Sequence, residues 1–243
     1  MQNKTDRENE KLQILKQYFG YDTFREGQEE IIDHILAGED VLAIMPTGAG
    51  KSLCYQVPAL MLRGITIVVS PLISLMMDQV KALNEAGVHA AYINSSLTEN
   101  QIAKALEFAK QGRYKLIYVA PERLLTPRFL DFACHTEIDL LTVDEAHCIS
   151  QWGQDFRPGY LKILEFINTL PRRPVVSAFT ATATEKVKED IRETIRILNK
   201  YVLKEPLSDD ELEVILRDEA FKTQVFFIKN KLIIFYPPHI FLY

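Results

Sequence analysis

The chain lacks what marks a secreted, metal-stapled or membrane-spanning protein. Its three cysteines, Cys54, Cys134 and Cys148, lie far apart and form no C-x-x-C pair, which argues against a disulfide framework or a zinc site. They read as buried or partly buried free thiols in a reducing compartment. The longest apolar runs fall short of the roughly 18 residues that a membrane span needs. Even the greasy stretch 225–243 is broken by Lys229, Asn230, Lys231, Pro237 and Pro238. Met1 to Lys11 is polar and charged, with no secretory apolar region. Basic residues are not in excess: 28 Lys and Arg stand against 33 Asp and Glu, a net charge of −5. That balance argues against a broad basic surface, so contact with a polyanion must come from a local cluster. The expectation is a cytoplasmic protein with no membrane partner.

What is present is apolar material in alternation. Apolar residues make up 47% of 243, enough core for one large domain or two small ones. Strand-like runs fall at Val41–Ile44, Thr66–Val69, Ala91–Ile93, Leu116–Val119, Leu140–Val143 and Val175–Phe179. Helix-like stretches alternate with them, at Gln28–Leu36, Lys51–Leu62, Leu72–Ala86, Thr98–Gln111 and Glu185–Leu198. Thr98 with Gln101, and Thr182 with Glu185, have capping-box spacing. The alternation predicts an α/β fold, a parallel β-sheet flanked by helices on both faces. Ligands of such sheets bind beyond the carboxyl ends of the strands. The pattern changes near Asn199. Residues 200–222 place acids ahead of bases and suit one amphipathic helix from near Ser208. The expected organisation is one domain over 1–198 and a short separate segment over 199–243.

Two motifs carry chemistry. Met45-Pro46-Thr47-Gly48-Ala49-Gly50-Lys51-Ser52 sits between a strand and a helix opening at Lys51. A glycine-bearing turn there lets backbone N–H groups close around phosphate oxygens, and the helix N-terminus adds partial positive charge. Lys51 can reach the β- and γ-phosphates, and the Ser52 hydroxyl can join a Mg²⁺ shell. The strict pattern has glycine where Met45 stands, so this turn alone is not decisive. Val143-Asp144-Glu145-Ala146-His147 closes a second apolar run. Adjacent carboxylates at a strand tip can divide the labour of γ-phosphate hydrolysis, Asp144 toward the metal and Glu145 toward the water. The bland reading is an exposed acidic turn. His147 is either a satisfied loop histidine or a sensor of the γ-phosphate beside that base. Together the motifs specify a nucleoside triphosphate hydrolase.

Six ordered blocks resemble the RecQ family of ATP-dependent DNA helicases, over about Leu12 to Leu198. Met45 to Gln56 is similar to that family's motif I, and Ser70 to Gln79 to motif Ia. Ala120-Pro121-Glu122-Arg123-Leu124 is similar to the next block. Asp144 to Pro158 resembles motif II with its aromatic-rich loop, and Ala178 to Ala183 motif III. Phe19-Gly20-Tyr21, with Phe24, Arg25 and Gln28, is similar to motif zero. Ala49, Glu26 and Gln154 depart from the commonest family residues without removing an essential group; alanine at 49 requires a negative φ.

The resemblance implies a RecA-like P-loop domain, the first lobe of a 3′–5′ DNA helicase of repair and recombination. It uses ATP and Mg²⁺ on single-stranded or forked DNA. Tyr21 and Arg25 would sandwich adenine and Gln28 would read its edge, above Thr47, Gly48, Ala49, Gly50, Lys51 and Ser52. Phe24 reads as core. Trp152, Phe156 and Arg157 would stack on DNA bases and report to Glu145. Ser70, Ser74 and Arg123 would contact strand phosphates, and Thr180 with Thr182 would transmit nucleotide state. After Leu198 nothing resembles the family's second RecA-like lobe, which supplies arginine fingers. Another chain supplying that lobe is one expectation. A non-catalytic, nucleotide-gated DNA-binding or docking module is the alternative. A small-molecule P-loop kinase and an RNA helicase are further classes; the aromatic loop argues against the former.

Overall fold

The computed structural model describes residues 2–150, 156–181, 183, 186–187, 191, 225–228 and 231–234. In chain order the first unit runs α1 (Gln2–Phe19), α2 (Gln28–Leu36), β1 (Val41–Ile44), α3 (Lys51–Met61), β2 (Ile65–Val69), α4 (Ile73–Glu85) and β3 (Ala90–Ile93). It continues through α5 (Glu99–Lys110), β4 (Leu116–Val119), α6 (Pro127–Cys134), β5 (Ile138–Val143), α7 (Leu161–Thr169) and β6 (Val175–Thr180). Short 3₁₀ turns cover Pro121–Arg123, Ala146–Ile149 and Pro158–Tyr160.

The strands form one six-stranded sheet in the order β1-β6-β5-β2-β4-β3, every pair parallel. Every residue of β2 and β4 is buried. Burial along the whole length of a strand is the mark of a sheet covered on both faces. Register lines up the strand tips: Val69 lies beside Val143, and Val143 beside Ala178. Ser70 and Asp144 therefore leave adjacent strands side by side. The main core packs Tyr55, Val68, Met76, Leu116, Tyr118, Leu140 and Phe179 between sheet and helices. A smaller cluster of Leu15, Ile32 and Val57 seats α1 on α2 and α3, with Phe24 packed against it.

The capping box at Thr98 forms: its hydroxyl accepts from Gln101 N at 3.3 Å, and Gln101 Oε1 accepts from Thr98 N at 2.8 Å. Its counterpart at Thr182 and Glu185 lies outside the described residues, as does the helix expected near Ser208. The strands match the expected ones with extensions. β5 begins at Ile138, because the charge of Asp139 is absorbed by Gly64 N and Arg172. Three helices exceed the sequence reading: α1, α6 and α7. α1 is polar almost throughout yet buries Lys11 and Leu15. α6 opens on a proline, tolerated in a helix's first turn.

The chain divides at Arg192/Glu193, shortly before the expected boundary at 198. The described part of the second unit is an antiparallel hairpin, β7 (Val225–Ile228) with β8 (Lys231–Ile234). Among the described residues no helix is long and apolar enough to cross a membrane.

Candidate active site

The turn after β1 is built on two glycines. Gly48 (φ 82) and Gly50 (φ 81) have left-handed backbone, which glycine adopts without cost. Ala49 between them lacks a positive φ, and its methyl packs on the core. Gly50 also admits a neighbour, since a Cβ there would sit 2.5 Å from Gln28 Nε2. Gln28, 1% exposed, braces the turn from below. Its Nε2 donates to Ala49 O and Gly50 O, both at 3.1 Å, and its Oε1 accepts from Arg25 N at 2.9 Å. Arg25 Nη1 donates to Gly48 O at 2.5 Å, and Lys51 Nζ donates to Met45 O at 3.2 Å.

The tip of β5 supplies the carboxylates. Asp144 N donates to Val69 O at 2.9 Å, which fixes Asp144 beside β2. Burial pushes the Asp144 carboxyl up to about 6, and the neighbouring Glu145 charge adds to it. The Glu145 amide, donating to Asp144 Oδ1 at 3.0 Å, and the Lys51 charge resist that rise. The Ser70 hydroxyl also favours the charged carboxyl, but it is buried with no well-aligned partner. Among the described residues Glu145 alone of the non-glycines has a positive φ, 51. Its Oε2 lies 3.2 Å from His147 Nδ1, which is also 3.0 Å from Thr180 Oγ1. His147 thus joins the end of β5 to the end of β6. Tyr160 OH donates to Asp144 O at 2.8 Å.

Both motifs open into one cleft of about 380 Å³. Thr47, Gly48, Gly50, Lys51 and Ser52 of the turn line it together with Tyr21, Arg25 and Gln28 and with Asp144 and Glu145. Tyr21 is 49% exposed, so its ring is free to meet a ligand. Thr23, Leu53, Leu75 and Gln79 complete the lining and went unnoticed in the sequence. Gln79 had a signal, since it ends the Ser70–Gln79 block. Its Oε1 accepts from Gln56 Nε2 at 2.9 Å, which also reaches Tyr118 OH at 3.1 Å.

The remaining expected residues divide. Ala49 and His147 sit behind the lining. Ser70 is 1% exposed, and its hydroxyl faces Asp144. Ser74 is exposed on the first turn of α4. Arg123 is partly buried and pairs with Glu99 Oε1 at 3.4 Å. Phe156 is half-buried, and Arg157 Nη1 donates to Pro71 O at 3.1 Å. Trp152 and Thr182 lie outside the described residues.

Hard oxygen donors, the Ser52 hydroxyl and the Asp144 carboxylate, share the cleft. Mg²⁺ is commonly held by one or two such groups plus substrate phosphates. A carboxyl pushed up by burial and a like charge has its ionised form restored by a divalent cation, so the residues fit that ion.

The DEAD/DEAH box helicase family matches residues 25–190. The ATP-dependent DNA helicase RecQ of Bacillus subtilis (strain 168) is 51% identical over 185 residues, 76% of this chain and 31% of that protein. The RecQ of Pasteurella multocida (strain Pm70) is 46% identical over 79% of this chain and 30% of its own length. The chain thus spans about a third of the curated relatives it matches. Among solved structures, a hypothetical ATP-dependent RNA helicase from Sulfolobus tokodaii superposes with a TM-score of 0.61 at 21% identity, covering 77% of this chain and 55% of that one. The DUF1998 helicase MrfA bound to DNA and AMPPNP gives 0.61 at 16% identity over 75% of this chain and 28% of its own. At those identities the likeness speaks for the RecA-like fold alone. By sequence, the chain belongs to the DEAD/DEAH box helicase family.

Proposed function

We propose that residues 1–198 are the ATP-binding and ATP-hydrolysing lobe of a RecQ-type DNA helicase, acting on single-stranded or forked DNA in the cytoplasm. One observation carries the reading: the turn around Gly48–Gly50 and the tip of β5 line the same hollow. The 51% identity to a RecQ helicase supports DNA as the track. A second RecA-like lobe would complete the site from its open side.

The residues divide the work. Lys51 leaves the Met45 carbonyl to meet the β- and γ-phosphates. Arg25 leaves the Gly48 carbonyl and stacks with Tyr21 on adenine, while Gln28 exchanges one loop bond for the adenine edge. Glu145 orients the water that attacks the γ-phosphorus and accepts its proton. Ser52 and Asp144 would hold Mg²⁺, which, when bound, spreads the charge of the phosphate oxygens. His147 ties Glu145 to Thr180, so that both ends respond together to loss of the γ-phosphate. Ser74 and Arg123 contact strand phosphates, and Trp152, Phe156 and Arg157 receive bases.

Steady-state ATP hydrolysis with and without a single-stranded oligonucleotide tests the reading. Turnover should rise with DNA and fall by roughly 10²-fold or more in Glu145→Gln. A flat baseline in both proteins would favour a non-catalytic, nucleotide-gated module instead.

A further inference from the structure

Tyr160 is a large phenol, 2% exposed, that the chemistry above leaves unused. It ends the 3₁₀ turn Pro158–Tyr160 and leads directly into α7. Its hydroxyl donates to Asp144 O at 2.8 Å. That oxygen belongs to the peptide joining Asp144 to Glu145. The same peptide opens the left-handed backbone of Glu145, and its N–H is drawn to Asp144 Oδ1 at 3.0 Å. Tyr160 therefore grips the unit that aims the Glu145 carboxylate.

The other end of the segment faces elsewhere. Tyr160 N donates to Arg157 O at 2.9 Å, closing residues 157–160 into one turn. Arg157 N donates to Cys148 O at 3.0 Å, and its guanidinium reaches Pro71 O at 3.1 Å. The turn thus touches the loop after β2, the 3₁₀ turn after Glu145, and the Asp144 carbonyl.

We propose that Tyr160 is a positioning residue whose hydroxyl links single-strand contact at Phe156 and Arg157 to the orientation of the Asp144–Glu145 peptide. The inference rests on the function proposed above and adds the atom through which DNA and nucleotide sense each other. Coupling of this kind is reciprocal, so nucleotide in the cleft must also alter the loop. The ring alone would serve packing under α7; the hydroxyl is what the inference needs, and Tyr160→Phe separates the two.

The chain contains a single tryptophan, Trp152, close in sequence to Phe156 and Arg157, so its emission is a probe of that stretch. The probe is a non-hydrolysable ATP analogue with Mg²⁺. Its affinity is read by calorimetry and its effect on the loop by Trp152 emission. The parent should bind the analogue and shift its emission. Tyr160→Phe should bind within about twofold of the parent yet lose about fivefold of the shift, the effect of one hydrogen bond. In hydrolysis, DNA-stimulated kcat should fall by a similar factor with KM for ATP unchanged. Should Tyr160→Phe fail to fold, Pro158→Gly loosens the same turn with the phenol intact and should weaken the same response. A Tyr160→Phe protein whose emission and stimulated kcat match the parent overturns the inference and leaves the proposed function standing. So does a parent that binds the analogue while Trp152 stays silent. A parent that binds no analogue overturns the proposed function itself, and the inference with it.

Discussion

The two ends of the sheet use charged residues in opposite ways. At the amino ends of the strands they are paired, although the Thr66 and Thr136 hydroxyls there are buried without a partner. Asp40, whose side chain is 2% exposed, accepts from Val176 N at 2.8 Å and from both Arg173 nitrogens. Asp139 accepts from Gly64 N at 2.6 Å and from Arg172. Lys115 Nζ donates to Leu62 O at 2.8 Å. At the carboxyl ends the Ser70 hydroxyl is buried without a well-aligned partner, Asp144 is raised to about 6, and Glu145 is left-handed. Strained backbone is costly, and it persists where the surrounding structure holds it for a task. One end stabilises the sheet; the other keeps groups poised for a ligand.

Substitutions at the two ends should therefore separate stability from binding. The largest stability effect is expected at Asp40→Ala, which strands Arg173 and the Val176 amide. Urea unfolding should show a loss of about 3 kcal/mol, with nucleotide affinity unchanged. Equal losses of stability and affinity would erase the contrast. At the other end Glu145→Gly should act in reverse. Relief of the positive φ should raise unfolding free energy by about 1 kcal/mol while hydrolysis disappears. A destabilised Glu145→Gly would mean that the left-handed residue is not strained.

A third, smaller effect sharpens the comparison at α1, away from both ends. Lys11 is 1% exposed and contacts Asp33 at 2.5 Å and Glu29 at 3.1 Å. Burial lowers its pKa, but the hydrogen bonds and charges of Asp33 and Glu29 outweigh it, so the net shift is upward from 10.5. A raised folded-state pKa means that the contribution is fully present below 10.5 and is lost as pH rises through the folded value. Stability should decline in that alkaline window, and Lys11→Met should flatten this part of the profile. An identical alkaline profile in the variant would remove Lys11 from the account.

How much of this was legible follows from what each signal depends on. The strands were readable because β4 is apolar without interruption and β2 is broken only by Thr66, and the two motifs because each follows an apolar run. α1 was hidden because the residues that seat it include a lysine, and a buried lysine looks like a solvated one until Asp33 and Glu29 are placed beside it. α6 and α7 are short and begin at or just after proline-bearing turns, where periodicity has little length to show itself. The burial of Ser70 is hidden from the sequence for the same reason as that of Lys11. Its residue type suits a surface phosphate contact, and only the register of Val69 with Val143 turns it toward Asp144. Gln28 was expected at the cleft, but its brace beneath the glycine turn depends on contacts that sequence spacing does not encode.

The central claim is that a nucleoside triphosphate sits between the Gly48–Gly50 turn and Asp144. Calorimetric titration of Mg·ATP into the chain and into Lys51→Ala tests it most directly. The parent should show saturable one-site binding. In the variant affinity should be lower by roughly 10²-fold or more, from loss of a charged phosphate contact, with the unfolding curve unchanged. Equal affinity in the two proteins would place the nucleotide elsewhere and contradict it.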